Sequence, residues 1–247
     1  MASYDFAAPR LFLDAPFDAG REIALDRAQA NYLLNVLRLS EGGAVLVFNG
    51  RDGEWRAGIR GSGRKSASLL PLEQTRAQTS PPDLDLLFAP LKHARLDYMV
   101  QKAVEMGAGR LRPVFTRRTI VSRVNLDRVR ANAIEAAEQC GILAVPAILP
   151  AEDLEPALRR LEPERLLVFC DEDAPAGRPG DALASAASGQ PLALLIGPEG
   201  GFSPEERETL LARENVLRLS LGPRILRADT AAVAALAVIQ AAVGDWG

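Results

Sequence analysis

Two apolar runs in the last third of the chain stop abruptly at glycine and proline and restart as helices. One is Leu194-Leu195-Ile196-Gly197-Pro198-Glu199-Gly200-Gly201-Phe202-Ser203. The other is Leu219-Ser220-Leu221-Gly222-Pro223-Arg224-Ile225-Leu226-Arg227-Ala228-Asp229-Thr230-Ala231. A buried strand that breaks just before a helix N-terminus is the repeating unit of an open α/β sheet, and such sheets bind ligands at the break. Two breaks this close in sequence predict a single pocket built from both.

Several familiar ligand loops do not fit. No Gly-Lys-Ser/Thr follows Gly197-Pro198-Glu199-Gly200-Gly201, so nothing there holds a nucleotide's phosphates and magnesium. The G-x-G-x-x-G spacing of a dinucleotide site is absent, as is a G-x-S-x-G nucleophile elbow. What remains is a loop whose glycines permit close approach and positive φ, and which offers backbone N–H and C=O groups to an uncharged heterocycle such as adenine. A metal centre is not expected. Only Cys140, Cys170 and His93 could act as soft ligands, and two cysteines make no disulfide framework.

Strands and helices alternate through the whole C-terminal part. Strands are expected at 85–89, 111–115, 165–170, 191–196 and 215–219. Helices are expected at 96–106, 126–139 and 229–243, with another opened by Ser203 as N-cap, Pro204 at the first helical position and Glu206 at the capping-box position. This order predicts a mostly parallel sheet. The N-terminal part reads differently. Short strands at 10–13, 44–48, 54–59 and 66–72 surround one helix from Asp26 to Leu37, with turn residues at 49–53. The expected organisation is a small barrel-like module over 1–72, a polar linker over 73–82 ending in Ser80-Pro81-Pro82, and an α/β domain over 83–247.

No apolar run reaches the roughly 18 residues of a membrane span, and the N-terminus lacks the pattern of a secretory signal; a cytoplasmic protein is expected. Net charge is −3 but unevenly spread: +1 over 1–80, +3 over 81–151 and −7 over 152–247. Nearly all the positive charge is arginine, which suits a local grip on phosphate.

The two glycine-rich strings closely resemble the RsmE family, uridine N3-methyltransferases of small-subunit (16S) ribosomal RNA within the SPOUT superfamily. Gln101-Lys102-Ala103-Val104-Glu105-Met106-Gly107, Glu138-Gln139-Cys140-Gly141 and Tyr32–Leu39 look like the same family, so the resemblance spans nearly the whole chain. It implies a PUA-like RNA-binding barrel, then a SPOUT domain with a deep trefoil knot whose loops hold S-adenosylmethionine. It also implies a homodimer, with small residues at Ala231, Ala232, Ala234 and Ala235 suited to close packing. Three positions depart from the family pattern: Asn31 where histidine is common, Ile142 where arginine is common, and Asp229 where glutamate is usual. Asp229 also reads as an N-cap for the last helix.

By this resemblance, methyl-donor contacts fall on Leu195, Ile196, Gly197, Gly201, Ser220, Leu221, Gly222, Ile225 and Leu226. Ile225 and Leu226 are expected to form apolar walls. Transfer needs the acceptor nitrogen placed opposite the donor sulfur, and loss of the uracil N3 proton. Arg227 is the expected stabiliser of the developing anion and Glu199 a hydrogen-bond acceptor in the site. His93 is a weaker candidate base. Arg10, Arg38, Arg51 and Arg56 are candidate phosphate contacts in the small domain. The alternatives left open are a SPOUT enzyme acting on another RNA base and a non-catalytic RNA-binding protein of ribosome assembly.

Overall fold

The computed structural model describes residues 8–63, 66–174, 177–186 and 189–246. The chain divides into two compact units. One comprises residues 1–80 with 137–144; the other comprises 81–136 with 145–247.

The first unit is a five-stranded sheet, β1 (Arg10–Phe12), β2 (Ile23–Ala24), β3 (Ala44–Phe48), β4 (Glu54–Gly63) and β5 (Ser66–Arg76), in the order β1-β3-β4-β5-β2. β3 and β4 pair antiparallel across the expected turn, with Phe48 opposite Glu54. Asn49 closes that turn: its Oδ1 accepts from the Arg51 and Asp52 amides at 2.9 and 2.8 Å. Val45, Val47, Ala57, Ile59 and Leu69 send their side chains into one core with Leu11, Leu13 and Leu33.

Two expectations for this unit change. Helix α1 (Arg27–Asn31) opens with a capping box between Asp26 and Gln29, but widens at once into a π-helical turn over Tyr32–Val36 and stops at Arg38, whose φ is 56°. Strand β5 continues through Glu73–Arg76, residues whose polarity suggests a linker. They pair with Glu54, Trp55 and Arg56 at the sheet edge, where polar side chains are ordinary.

The second unit is a parallel sheet of β6 (Leu84–Phe88), β7 (Arg110–Phe115), β8 (Ala147–Ile148), β9 (Glu152–Asp153), β10 (Leu166–Cys170), β11 (Leu192–Ile196) and β12 (Val216–Leu219). The order is β12-β10-β11-β6-β7-β8, with β9 also on β7. Helices α2 (Ala94–Glu105), α3 (Leu126–Cys140), α4 (Leu154–Arg159), α5 (Pro179–Ala186), α6 (Pro204–Leu211) and α7 (Ala228–Val243) connect and cover it. Strands β6, β10 and β11 are apolar along their length because both faces are covered, the pattern of a buried parallel sheet. Asp85 on β6 is the exception. It is 1% exposed and held by Arg110 and by Arg112 Nη1 at 3.0 Å.

Helix α7 buries Ala231, Ala232, Ala235, Leu236 and Ile239 and packs against α2, α5 and β11. Gln240 ties it to the end of α2, donating from Nε2 to the Met106 carbonyl at 2.6 Å. Asp229 is not its cap. The N-cap position is Arg227, and Asp229 lies inside the first turn, where its charge complements the helix dipole. Among the described residues, no helix is long and apolar enough to cross a membrane.

Candidate functional site

The order of the second sheet reverses between β6 and β11. From β6 the chain runs outward through β7 and β8 on one side; on the other, β11 follows β10 inward to lie beside β6, and the chain then passes back to β12 outside β10. Ligands of open parallel sheets sit beyond the strand carboxyl ends near such a reversal. Here a cleft of about 540 Å³ lies at the ends of β10, β11 and β12, within the usual range for small-molecule sites. Its walls are the segment after β10 (Asp171, Glu172, Asp173), the loop between β11 and α6, and the loop between β12 and α7.

Sequence chemistry explains the loop geometry. Gly201 takes φ +67° and Gly222 φ +95°, both in the region that glycine alone enters cheaply. Gly197 is constrained by space: a Cβ there would lie 3.0 Å from Cζ of Phe202, whose ring packs edge-on against Phe169. The Gly201 amide donates to the Pro198 carbonyl at 2.9 Å, closing the turn. The capping box then starts α6. Ser203 Oγ accepts from the Glu206 amide at 3.2 Å, and Glu206 Oε2 accepts from the Ser203 amide at 2.8 Å.

The structure brings together most of the residues expected from the two strings. Ile196, Gly197, Glu199, Gly201, Ser220, Leu221, Gly222, Ile225 and Leu226 all line the cleft. Leu195 does not. It is fully buried in the core with Phe169 and Leu210, because alternation along the strand turns it away from the loop that Ile196 enters. Ile225 lines the cleft but is 91% exposed, so it is a rim residue and no enclosing wall. Arg227 sits just outside, exposed, between the lining residues Leu226 and Ala228. Glu199 faces Arg95 Nη1 at 3.7 Å and does not pair with Arg227. His93 lies outside the cleft lining. It is exposed at the N-cap of α2 with φ 35°.

The arginines expected to grip RNA are rearranged. Arg10 is corrected outright: at 7% exposure its guanidinium is buried against Glu54, with Nε donating to Oε2 at 3.1 Å, so it is not available to a phosphate. Arg51 pairs with Asp14 at 3.0 Å and Arg56 with Glu73 at 2.9 Å, both on the surface. Arg38 is exposed and makes no ion pair among the described residues.

A group missed by sequence reasoning sits on the cleft floor. Asp171 is 7% exposed and lies directly after β10. Its Oδ2 accepts from Arg218 Nε at 2.7 Å and from Arg207 Nη2 at 3.1 Å, and its Oδ1 accepts from the Asp173 amide at 3.1 Å. Burial works to raise its pKa, but the hydrogen bonds from the two guanidiniums and the amide prevail and hold it below the usual carboxylate range. The same bond raises Arg207 above its ordinary value. The signal was the acidic run Asp171-Glu172-Asp173 at a strand end. Next to it, burial pushes the Cys170 thiol up to about 12, leaving it protonated and unreactive at neutral pH. Arg118, also missed, reaches in from the segment after β7 and donates from Nη1 to the Gly200 carbonyl at 2.7 Å.

The cleft therefore offers glycine backbone, apolar patches from Ile196, Leu221 and Leu226, and more carboxylates than guanidiniums in its lining. Such a lining suits a ligand combining a flat heterocycle with a positive charge.

Comparison with known proteins agrees with this geometry. A sequence profile described as "RNA methyltransferase domain" matches residues 78–240, and one described as "RNA methyltransferase PUA domain" matches 25–72. The chain is 32% identical over 219 residues to the ribosomal RNA small subunit methyltransferase E of Rickettsia conorii, covering 89% of this chain and 88% of that one. It is 31% identical over 222 residues to the protein of the same name from Synechocystis sp., covering 89% and 73%. Among solved structures, a ribosomal RNA small subunit methyltransferase E from Neisseria gonorrhoeae bound to S-adenosyl methionine superposes with a TM-score of 0.87 at 29% identity. That match covers 97% of this chain and all of the other. A methyltransferase from Legionella pneumophila in complex with the same cofactor gives 0.80 at 28% identity, covering 95% and 98%.

Proposed function

This chain belongs to the ribosomal RNA small subunit methyltransferase E family, and from that premise we propose that it transfers a methyl group from S-adenosylmethionine to N3 of a uridine in 16S ribosomal RNA. The observation that carries the proposal is the cleft itself. Both glycine-rich strings, read from sequence as one ligand site, converge there at the ends of three adjacent parallel strands.

S-adenosylmethionine, when bound, supplies a methyl group on a cationic sulfur. The chain's own residues do the rest. Backbone groups around Gly197, Gly201 and Gly222 recognise the adenosine portion, with Ile196, Leu221 and Leu226 excluding water from it. The carboxylates of the lining favour a positively charged donor over a neutral one. Arg227, at the rim, stabilises negative charge on the uracil as the N3 proton leaves, and Glu199 accepts a hydrogen bond beside it. The first unit, matching a PUA profile, holds the RNA. The family's trefoil knot, a homodimeric assembly, a cytoplasmic location and the small ribosomal subunit as substrate belong to the same proposal.

Calorimetric titration with S-adenosylmethionine tests the cleft, and no heat of binding would end the enzyme reading. Small subunits from cells lacking the gene then serve as acceptor, with methylated uridine mapped by mass spectrometry. Methyl transfer to a different base would leave the donor site standing and change the substrate.

A further inference from the structure

The floor of the cleft is built around a charge arrangement rather than a shape. Asp171 directly follows β10, Arg207 belongs to α6 and Arg218 to β12. One carboxylate thus takes hydrogen bonds from side chains on two other elements that frame the same cleft. Asp171 and Arg207 line the cleft; Arg218 bonds Asp171 but is not part of the lining. The Asp171 side chain is 4% exposed, against 32% and 28% for the two arginines, so it is the most deeply placed charge of the three.

Within the cleft lining, carboxylates outnumber guanidiniums. Asp171, Glu172, Asp173, Glu199 and Glu208 contribute carboxylates. Only Arg118, Arg207 and Arg224 contribute guanidiniums to the same lining. Field inside a partly enclosed, low-dielectric cleft depends on each of these charges. The donor and its spent form, S-adenosylhomocysteine, share the adenosine and amino-acid portions and differ at sulfur, a cationic sulfonium against a neutral thioether. Shape and backbone contacts treat the two alike; electric potential does not.

We propose that Asp171 is a specificity-determining residue that sets the preference of the cleft for the cationic donor over the neutral product, by offsetting the guanidiniums of Arg207 and Arg218 on the cleft floor. Asp171 acts through the potential it sets and the arginines it holds, so it is a positioning residue and takes no part in methyl transfer. The proposal rests on the donor-site reading above and adds to it the residue that discriminates donor from product. Its depressed pKa, caused by the same arginines, keeps the charge in place through the neutral range.

Two variants push the potential in opposite directions. Asp171→Asn removes a negative charge from the cleft floor. Arg218→Gln removes a positive one from a residue outside the lining that bonds Asp171 and the Asp173 carbonyl. Dissociation constants of S-adenosylmethionine and S-adenosylhomocysteine are measured by calorimetry for each variant and for the wild-type protein. For Asp171→Asn, the ratio of the donor constant to the product constant is expected to rise about tenfold; for Arg218→Gln it is expected to fall by several-fold. Loss of a mechanical brace would weaken both ligands together and leave the ratio unmoved, or move it the same way in both variants; either result overturns the proposal. Melting curves exclude simple unfolding, and Arg218→Gln carries the test alone if Asp171→Asn does not fold. Wild-type protein that binds neither ligand overturns the donor-site reading itself, and this assignment with it.

Discussion

Arg227 stands exposed beside the cleft lining. It caps α7 without a side-chain hydrogen bond and pairs with neither Glu199 nor Asp229, so its charge is uncommitted at the rim among the described residues. Arg227→Ala is expected to lower kcat by about a hundredfold, the scale of losing one preorganised anion stabiliser, with the donor dissociation constant within about twofold of wild type. Arg227→Lys should recover part of the rate. Single-turnover methylation and calorimetry measure the two quantities, and a loss confined to donor binding would remove Arg227 from the chemistry. The glycines give a second test at this scale, because two of them are glycine for different reasons. At Gly201 the backbone sits at φ +67° with the nearest outside atom 3.8 Å from a new Cβ, so Gly201→Ala should cost about 1 kcal/mol of backbone strain and little else. At Gly197 the new methyl meets the Phe202 ring at 3.0 Å. Gly197→Ala should therefore displace that ring, and the further change Phe202→Leu should restore donor affinity there while doing nothing for Gly201→Ala. Denaturant midpoints and donor titrations of the four variants decide it.

Elements in the first unit are joined through one buried carboxylate. Glu54 on β4 is 3% exposed and receives Arg10 of β1 at 3.1 Å, and Thr75 and Arg76 of β5 both at 2.9 Å. Burial tends to raise its pKa, yet the bonds from Arg76 and Thr75 bring it below the ordinary glutamate value. A carboxylate lowered in the folded state contributes stability that is complete above its unfolded pKa of about 4.3 and is lost as pH falls through the folded value. Glu54→Gln should cost about 3 kcal/mol at neutral pH, since it takes the carboxylate charge away from a buried Arg10. It should also flatten the acid limb of stability against pH below about 4.3. Urea unfolding followed by Trp55 fluorescence, in a chain carrying Trp246→Phe, reads both; an unchanged acid limb would show that Glu54 is not the titrating brace. This element-scale tie was invisible in sequence for a physical reason. Arg10 and Glu54 are 44 residues apart, and only the register that sets β1 beside β3, and β3 beside β4, brings them together. The turn at 49–53 and the capping box at Ser203 were legible because their chemistry is complete within four or five residues.

At the scale of the whole chain, alternation of strands and helices after residue 83 forecast the parallel sheet, because a strand covered on both faces must be apolar throughout. The cleft was legible as two breaks in that alternation. The ion cluster at its edge was not, because Asp171, Arg207 and Arg218 converge from three elements whose adjacency depends on strand order. Charge balance between the units was the weakest guide. With a net charge of −3, the chain has no diffuse attraction for RNA, so affinity must come from particular arginines free to release counterions from phosphate. Of the four arginines expected in that role, Arg10 is buried, Arg51 and Arg56 already face carboxylates, and Arg38 alone is exposed and uncommitted among the described residues. Removing one arginine–phosphate interaction lowers the magnitude of the slope of log K against log salt by about 0.7 to 0.9, whatever the RNA sequence. Arg38→Ala is therefore expected to weaken binding of small-subunit RNA uniformly across sequences and to lower that slope by the amount of one such interaction. Arg51→Ala and Arg56→Ala, whose charges Asp14 and Glu73 already offset, should move the slope by less than half as much. Filter binding from low to moderate salt measures all three. Equal slopes for wild type and Arg38→Ala would place the RNA grip on the arginines around the cleft instead.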